Sequence, residues 1–386
     1  MHSEQKRILF QVALFIATFI TTTLAGTEWA YSRSVYMEGY SWEDFKHGLG
    51  FSIPLLLILT VHEFGHYFMA MYHKVKASLP YYIPFPPIPF FPNLGTMGAV
   101  IRLRSRPVSN VQNFDIGVAG PVAGFVVAVL ILFYGFMTLP PPEYVYQFHP
   151  EYEQYGPDYA DVVYSEEYMA EHGPAIGVTI GSNLLFWIFE QTVADPTRIP
   201  NPHEMMHYPV LMACYIALFF TCLNLLPIGQ LDGGHVTYGL FGYRKHRLIA
   251  RAFFLALIFY AGLGLSYIDP ELPQLELLVG IGLYLVFLFV AFKGLMLPAQ
   301  ETLMYVLLMF AVQFSLMVYM PGIKGYEGWI LFAFILGRLI GIEHPRSEIE
   351  QPLDSNRILI GWIALVIFIL CFSPAPIRVS ILGAGQ

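Results

Sequence analysis

The segment His62-Glu63-Phe64-Gly65-His66 places two imidazoles and a carboxylate within five consecutive residues of an apolar run. Side chains at positions i and i+4 of an α-helix lie on one face, so both histidines can bind the same Zn²⁺ ion. Glu63 would point toward a metal-bound water, whose pKa zinc lowers toward ~7, and would accept its proton as the hydroxide attacks a carbonyl. The spacing therefore fits a hydrolytic zinc site.

A third protein ligand has to come from a distant part of the chain, because no Asp or Glu occurs between Glu63 and Asp115. The candidate is Asp232, in the segment NLLPIGQLDGGH at 224–235. Pro227 breaks the preceding apolar helix, and the two glycines after Asp232 allow the tight backbone that a buried ligand needs. An aspartate in these apolar surroundings indicates a nearby cation.

The segment HEMMH at 203–207 matches the same pattern, but its surroundings differ. It lies between Pro202 and Pro209, in a stretch that holds barely one and a half helical turns. Pro209 also disfavours helical backbone at Tyr208. We therefore do not expect a second zinc helix here, and whether these residues bind any metal stays open.

The composition indicates the environment of these residues. Of the 386 residues, 56% are apolar and 12% are charged, and the mean hydropathy is +0.56. A water-facing surface of this size would need about twice that charged fraction, so neither a disordered chain nor an ordinary soluble domain is expected. The net charge of −8 provides no basic face for a phosphate backbone, so we expect no nucleic-acid partner. The three cysteines lack CxxC spacing, which argues against a disulfide scaffold or a thiolate metal site.

A membrane-spanning helix needs roughly 20 apolar residues, and several runs of the chain meet or approach that length. We therefore predict an all-α polytopic membrane protein with about nine transmembrane helices, surrounded by membrane lipid. The apolar runs cover 8–26, 51–72, 114–138, 208–226, 248–268, 276–296, 303–319, 328–342 and 357–373.

The distribution of charge predicts the orientation, because cytoplasmic loops of membrane proteins carry an excess of Lys and Arg. Two basic residues among the first seven place the N-terminus on the cytoplasmic side. The loop 73–113 carries five basic residues and no acid, whereas 139–207 carries eleven acids and only Arg198. We predict that the first loop is cytoplasmic and the second is external, with the short apolar segment 175–189 at the outer interface.

Three segments together resemble the site-2 protease family of intramembrane metalloproteases, in its branch without a PDZ domain. They are HEFGH at 62–66, NLLPIGQLDGGH at 224–235 and the small-residue stretch 117–124 in the span between them. We therefore divide the chain into an N-terminal helix with an external loop at 1–50, a metalloprotease core at 51–247 and accessory transmembrane helices at 248–386.

The resemblance implies one zinc ion per chain, bound by His62, His66 and Asp232. Glu63 would act as general base and acid, and Asn224 would stabilise the substrate or the developing oxyanion. For Asn224, the alternative is an interhelical hydrogen bond. The residues expected to shape the site without acting in the chemistry are Gly120, Pro121, Pro227, Gly233, Gly234 and His235.

A stretch between the two motifs, at 95–104, ends in alternating apolar and basic residues as a strand does. The resemblance implies a membrane-reentrant β element here, whose open edge could pair with an extended substrate by strand addition. The residues expected to bind substrate on this edge are Gly98, Ala99, Val100 and Ile101. The alternative is a cytoplasmic hairpin whose arginines meet lipid head groups.

The function that the resemblance implies is that of an intramembrane zinc endopeptidase, which hydrolyses single-pass membrane proteins within or near the cytoplasmic side of the bilayer. Its context would be regulated intramembrane proteolysis, with a membrane-tethered regulator such as an anti-sigma factor as substrate. The first residues lack the composition of a transit peptide, which favours a prokaryotic plasma membrane.

Two other classes of protein could use the same residues. A zinc-binding membrane transporter would need further ionisable residues along a path, and mid-span acids are scarce beyond Glu63 and Asp232. A catalytically inactive membrane scaffold of the same fold would have no need of Glu63. The sequence therefore favours the endopeptidase over both.

Overall fold

The computed structural model describes residues 3–89, 93–172 and 175–382 of the chain. The described chain is mostly helical and contains two small two-stranded sheets. It groups into two compact units, which are described in turn. Unit 1 comprises Met1–Arg106, Ala119–Leu223 and Val366–Gln386, and unit 2 comprises Pro107–Val118 and Asn224–Leu365.

The helices and strands follow one another in a simple order along the chain. The first group is α1 (Ser3–Tyr31), α2 (Trp42–His47), α3 (Leu49–Tyr72), β1 (Tyr81–Pro84), β2 (Thr96–Val100), α4 (Asn110–Met137), α5 (Tyr159–Val163), α6 (Glu166–His172), β3 (Ala175–Ile180), α7 (Leu184–Thr192) and α8 (Pro209–Asn224). The second group is α9 (Asp232–Ala261), α10 (Gln274–Phe292), α11 (Ala299–Tyr319), α12 (Gly328–Ile335), α13 (Ser355–Cys371) and β4 (Ile377–Leu382). Short 3-10 turns include Pro142–Gln147, Pro150–Asp158, Pro196–Arg198 and Met205–His207.

Five of the described helices are long and apolar enough to cross a membrane, so the chain is a membrane protein with several apolar helices. They are Glu4–Tyr31, Trp42–Tyr72, Asn110–Met137, Gln274–Leu295 and Ala299–Tyr319, and the shorter apolar helices are Pro209–Asn224, Gly328–Ile340 and Ser355–Cys371. The predicted run 248–268 is only partly helical, because α9 ends at Ala261. The helical class is confirmed, while nine spans and the orientation of the loops stay predictions.

In unit 1, α1 lies against α3 and against the hairpin β1–β2. Gly26 lets α1 approach α3 so closely that a Cβ there would lie 2.7 Å from the Cβ of Phe51. Two buried hydroxyl groups meet across the same contact, since Thr22 Oγ1 and Ser52 Oγ are 2.6 Å apart. A buried hydroxyl in apolar surroundings needs a partner, so this pair stabilises one register of the two helices.

The hairpin β1–β2 is antiparallel, with Tyr82 opposite Ala99. The register shifts between Tyr82 and Pro84, which has no backbone N–H to donate to the ladder. A strand is therefore present within 95–104, at Thr96–Val100, whereas the alternating residues 101–104 that indicated it follow the strand. Its re-entry into the membrane stays a prediction.

Strands β3 and β4 form the second sheet of unit 1, antiparallel from Ala175 opposite Leu382 to Ile180 opposite Ile377. The segment 175–189, expected to lie at the outer interface, is divided into β3 and the first turns of α7. The partner of β3 lies near the C-terminal end of the described chain, where we expected accessory helices only. No local pattern reveals a pairing between residues so far apart in sequence.

Unit 2 consists of α9 to α12 with parts of α4 and α13. Helix α9 bends at Gly242, whose φ of 73° is a conformation that glycine adopts without strain. The buried amide of Gln313 in α11 donates to the carbonyl oxygen of Ile258 in α9 at 3.0 Å, and it accepts from the hydroxyl of Tyr284 in α10 at 3.0 Å. These bonds join the three helices.

Candidate metal centre

The motif at 62–66 lies in the second half of α3, an apolar helix that ends at Tyr72. His62, Glu63 and His66 are 3%, 5% and 7% exposed. The Nε2 atoms of the two histidines lie 3.0 Å apart. Two nitrogens bound at ~2.0–2.1 Å to one tetrahedral zinc ion lie about 3.3 Å apart, so the pair fits a shared ion. The two nitrogens therefore converge, and their binding of one metal ion stays a prediction.

Helix α4 closes one side of the histidine pair with its backbone alone. A Cβ at Gly120 would lie 2.1 Å from Nε2 of His66. A Cβ at Gly124 would lie 3.0 Å from the Cβ of His62. On the facing helix, a Cβ at Gly65 would lie 2.6 Å from a backbone carbonyl oxygen of α4. Glycine at these positions therefore lets the two helices touch.

The hairpin β1–β2 contacts α3 near the motif. The hydroxyl oxygens of Tyr82 and Thr60 are 2.7 Å apart, and Thr60 lies two residues before His62 in α3. Tyr82 is 5% exposed. No sequence pattern singles out Tyr82 within its proline-rich segment. Its hydroxyl group fixes the hairpin to the helix that carries the histidines.

One edge of β2 is open within the described part of the chain, since no described strand other than β1 pairs with it. Gly98, Ala99 and Val100 form the end of this strand, and Ile101 follows it. Val100 is 51% exposed. Ala99 and Val100 therefore lie on an edge that can accept a further strand, and the role of all four residues in substrate binding stays a prediction.

In unit 2, Asp232 is the first residue of α9 and follows the turn that contains Pro227. The two glycines after Asp232 pack on this turn. A Cβ at Gly233 would lie 1.9 Å from one of its backbone carbonyl oxygens, and a Cβ at Gly234 would lie 2.2 Å from another. The backbone after Asp232 is therefore tightly packed. The N-terminal end of a helix also stabilises a carboxylate through the helix dipole.

Asn224 is the last residue of α8, and His235 lies in the first turn of α9. Nδ1 of His235 is 2.7 Å from Nε2 of His344, whose ring stacks on Tyr238 with centroids 4.4 Å apart. A Cβ at Gly117 would lie 2.6 Å from the Cβ of His235. The imidazole of His235 is therefore held in place by its neighbours, as a residue that shapes the site would be.

The histidine pair belongs to unit 1, whereas Asp232 and Asn224 belong to unit 2. The binding of one ion by both histidines and Asp232 stays a prediction that metal analysis can test. Pro121 lies inside α4, directly after Gly120. Its contribution to the site likewise stays a prediction.

A buried histidine pair of the HExxH type on an apolar helix defines a helical membrane protein with a metallopeptidase motif. The chain belongs to peptidase family M50, whose profile matches residues 50–268, more than half of the sequence. The resemblance to the site-2 protease family is thereby confirmed. The matched region includes both motif segments, at 62–66 and 224–235.

Three curated relatives carry related names. The chain is 28% identical over 218 residues to "Probable zinc metalloprotease EGY1, chloroplastic" of Arabidopsis thaliana, which covers 56% of this chain and 33% of the relative. It is 29% identical over 188 residues to the protein of the same name from Oryza sativa subsp. japonica, and the match covers 49% of this chain and 27% of the relative. It is 24% identical over 200 residues to "Probable zinc metalloprotease EGY2, chloroplastic" of Arabidopsis thaliana, and the match covers 52% of this chain and 30% of the relative. The match thus spans a third or less of each relative, and no solved structure matches the chain.

Proposed function

We propose that the protein is an intramembrane zinc endopeptidase. The observation that carries the proposal is the pair of buried imidazole nitrogens on α3, 3.0 Å apart, with Glu63 beside them. Membership of peptidase family M50 and the names of the relatives support zinc as the metal. His62, His66 and Asp232 would hold one ion at this site.

Glu63 supplies the proton transfer in this proposal. A bound zinc ion would polarise the scissile carbonyl and lower the pKa of a water. The carboxylate of Glu63 is 5% exposed, so it acts where electrostatic interactions are stronger than in water. It accepts the proton of the attacking water and returns it to the leaving amine. Asn224 would donate its amide N–H to the oxyanion that forms on the substrate.

The substrate has to arrive as an extended chain, because a helix hides its carbonyl groups in hydrogen bonds from i to i−4. The open edge of β2 supports strand addition by Gly98, Ala99, Val100 and Ile101. The exposed side chain of Val100 provides an apolar contact for a substrate side chain. A single-pass membrane protein meets these requirements once its span unwinds locally.

The cellular context of the proposal rests on charge and resemblance. The basic loop 73–113 contains the hairpin and supports cleavage toward the cytoplasmic side of a cell membrane, with the N-terminus on that side. By resemblance, the substrates are single-pass regulators such as an anti-sigma factor in a prokaryotic plasma membrane, cleaved in regulated proteolysis. The names of the relatives assign those proteins to chloroplasts.

The test uses the full chain purified in detergent and a single-pass substrate labelled at both ends. Glu63→Gln keeps the shape of the side chain and removes the base, so we expect cleavage to fall by about 10²–10⁴-fold with zinc retained. His66→Ala and Asp232→Ala should each lose one zinc ion and the activity. His73→Ala, at the end of the same helix, is the control and should retain both. Equal cleavage by wild type and Glu63→Gln would overturn the proposal.

A further inference from the structure

A second group of metal-ligating side chains lies in unit 1, in the segment 139–207 that we expect to be external. His149 directly precedes the turn Pro150–Asp158. Glu204 directly precedes the turn Met205–His207, and His207 is its last residue. The ligand atoms of the three side chains all lie within 4.8 Å of one another. The Nε2 atoms of the two histidines are 3.3 Å apart. Oε2 of Glu204 lies 3.7 Å from Nε2 of His149 and 3.5 Å from Nε2 of His207.

Both imidazoles present Nε2 to the centre of this group because their other nitrogen is engaged. Nδ1 of His207 is 2.6 Å from the carbonyl oxygen of Ala30, to which it can only donate, so the proton lies on Nδ1 and the lone pair on Nε2. Nδ1 of His149 lies 3.4 Å from Oε1 of Glu151. A carbonyl or carboxylate behind each histidine is the arrangement that orients histidine ligands in metal sites.

Glu204 presents its second oxygen to the same point. Its Oε1 accepts a hydrogen bond from the hydroxyl of Tyr164. Its Oε2 is buried and has no hydrogen-bond partner within the described residues, and the residue is 1% exposed. A buried carboxylate oxygen without a donor is costly, whereas a cation between it and the two imidazole nitrogens would satisfy all three atoms.

The surroundings complete a site with one accessible side. The ring of Phe148 stacks on His207 with centroids 4.2 Å apart, and Tyr152 stacks on His149 at 4.5 Å. The side chain of His149 is 30% exposed, so an ion can reach the group from solvent. His203 is directed elsewhere, since it stacks on Tyr164 and its Nδ1 lies 3.3 Å from Thr179 Oγ1.

We propose that His149, Glu204 and His207 bind a second zinc ion, which fastens the external segment to the end of α1. Two imidazoles and one carboxylate are a ligand set suited to zinc, and their separations are close to the edges of about 3.3 Å in a tetrahedral zinc site. The ligands and the groups behind them come from four stretches of unit 1, around residues 30, 150, 164 and 205. The role of this ion is structural, and the proposal does not depend on the peptidase activity.

The first test is the zinc content of the full chain, purified in detergent, loaded with zinc and desalted. We expect about two zinc ions per chain in wild type and about one in His149→Ala, in Glu204→Gln and in His66→Ala. His203→Ala, in the same motif, is the matched control and should keep both. Unchanged zinc content in both His149→Ala and Glu204→Gln would overturn the proposal. A failure of the first site would look different, because wild type would then hold one ion that His149→Ala removes and His66→Ala does not.

A second measurement reports on the structural role. Arg198 is the single Lys or Arg between residues 139 and 207, it ends the turn Pro196–Arg198, and its guanidinium donates to the carbonyl oxygen of Leu139. Trypsin binds an extended backbone, so cleavage after Arg198 reports local opening of the external segment. The chain carries His66→Ala, so that only the second site responds to a chelator. Zinc at about 100 times its Kd lowers the open population by about 100-fold, so chelation should accelerate cleavage accordingly and zinc should reverse it. The same chain with Glu204→Gln should be insensitive to both. Equal cleavage rates with and without chelator in the His66→Ala chain that keeps Glu204 would contradict the structural role.

Discussion

Replacing Gly120 with alanine perturbs the packing on which the histidine pair depends. The new Cβ would lie 2.1 Å from Nε2 of His66, more than 1 Å inside the shortest ordinary contact of 3.4 Å. The backbone of α4 cannot retreat freely, because it also contacts Gly65, so the imidazole has to move. Overpacking of this kind costs about 1–3 kcal/mol, and the higher helix propensity of alanine returns about 1 kcal/mol. The expected loss in free energy of unfolding is therefore at most about 2 kcal/mol.

The activity of Gly120→Ala should respond more strongly than its stability. A displacement of about 1 Å in a reacting geometry can cost ~10²-fold, so we expect kcat/KM to fall about 100-fold, together with weaker zinc binding. Peptide cleavage, zinc content and thermal unfolding are measured on one preparation. Gly282→Ala is the matched control, because Gly282 also lies in an apolar helix and a Cβ there meets nothing within 4 Å. Full activity and full zinc content in Gly120→Ala would refute the reasoning.

Three further substitutions test neighbouring contacts. In Gly234→Ala the Cβ would lie 2.2 Å from the carbonyl oxygen of Gly229. We expect the free energy of unfolding to fall by about 1–3 kcal/mol, measured by thermal unfolding, and less zinc to be bound. An unchanged Tm would contradict the packing of α9 on the turn before it. Tyr82→Phe removes the 2.7 Å hydrogen bond to Thr60 and should cost about 1 kcal/mol. A double-mutant cycle with Thr60→Val should show that coupling, and additive effects would argue against it. Val100→Asp places a charge on the open edge of β2 and should raise KM about tenfold, equivalent to ~1.4 kcal/mol, with zinc content unchanged. An unaltered KM would remove this edge from the substrate path.

The convergence of His62 and His66 could be predicted because it is local: two positions four residues apart on one helix must share a face. The tight turn around Gly233 followed from a similarly short pattern, whereas the strand Thr96–Val100 lies before the alternating residues that indicated one. The close approach of α4 to the histidines at Gly120 was expected only from the resemblance. The sequence around Gly120 does not reveal that α3 packs against it.

The second donor group escaped prediction for a physical reason. The sequence at 203–207 has the i, i+4 spacing of an α-helical histidine pair, but its residues form a 3-10 turn. Glu204 precedes this turn and meets His207 at its end. The third donor, His149, lies far away in sequence and follows no motif. The pairing of β3 with β4 is likewise non-local, and the short apolar run at 175–189 showed only that the segment was partly buried.

The sheet of β3 and β4 limits how the chain can be threaded through a bilayer. A sheet edge that faces lipid leaves backbone groups unpaired, and the strands β3 and β4 cannot pair across the bilayer, so we expect Ala175–Ile180 and Ile377–Leu382 to share one face of the membrane. We therefore predict that the polypeptide passes through the lipid an even number of times between these two strands. The six apolar runs predicted from 208 to 373 obey this parity, and any revised topology that adds or removes a single crossing there would break the sheet.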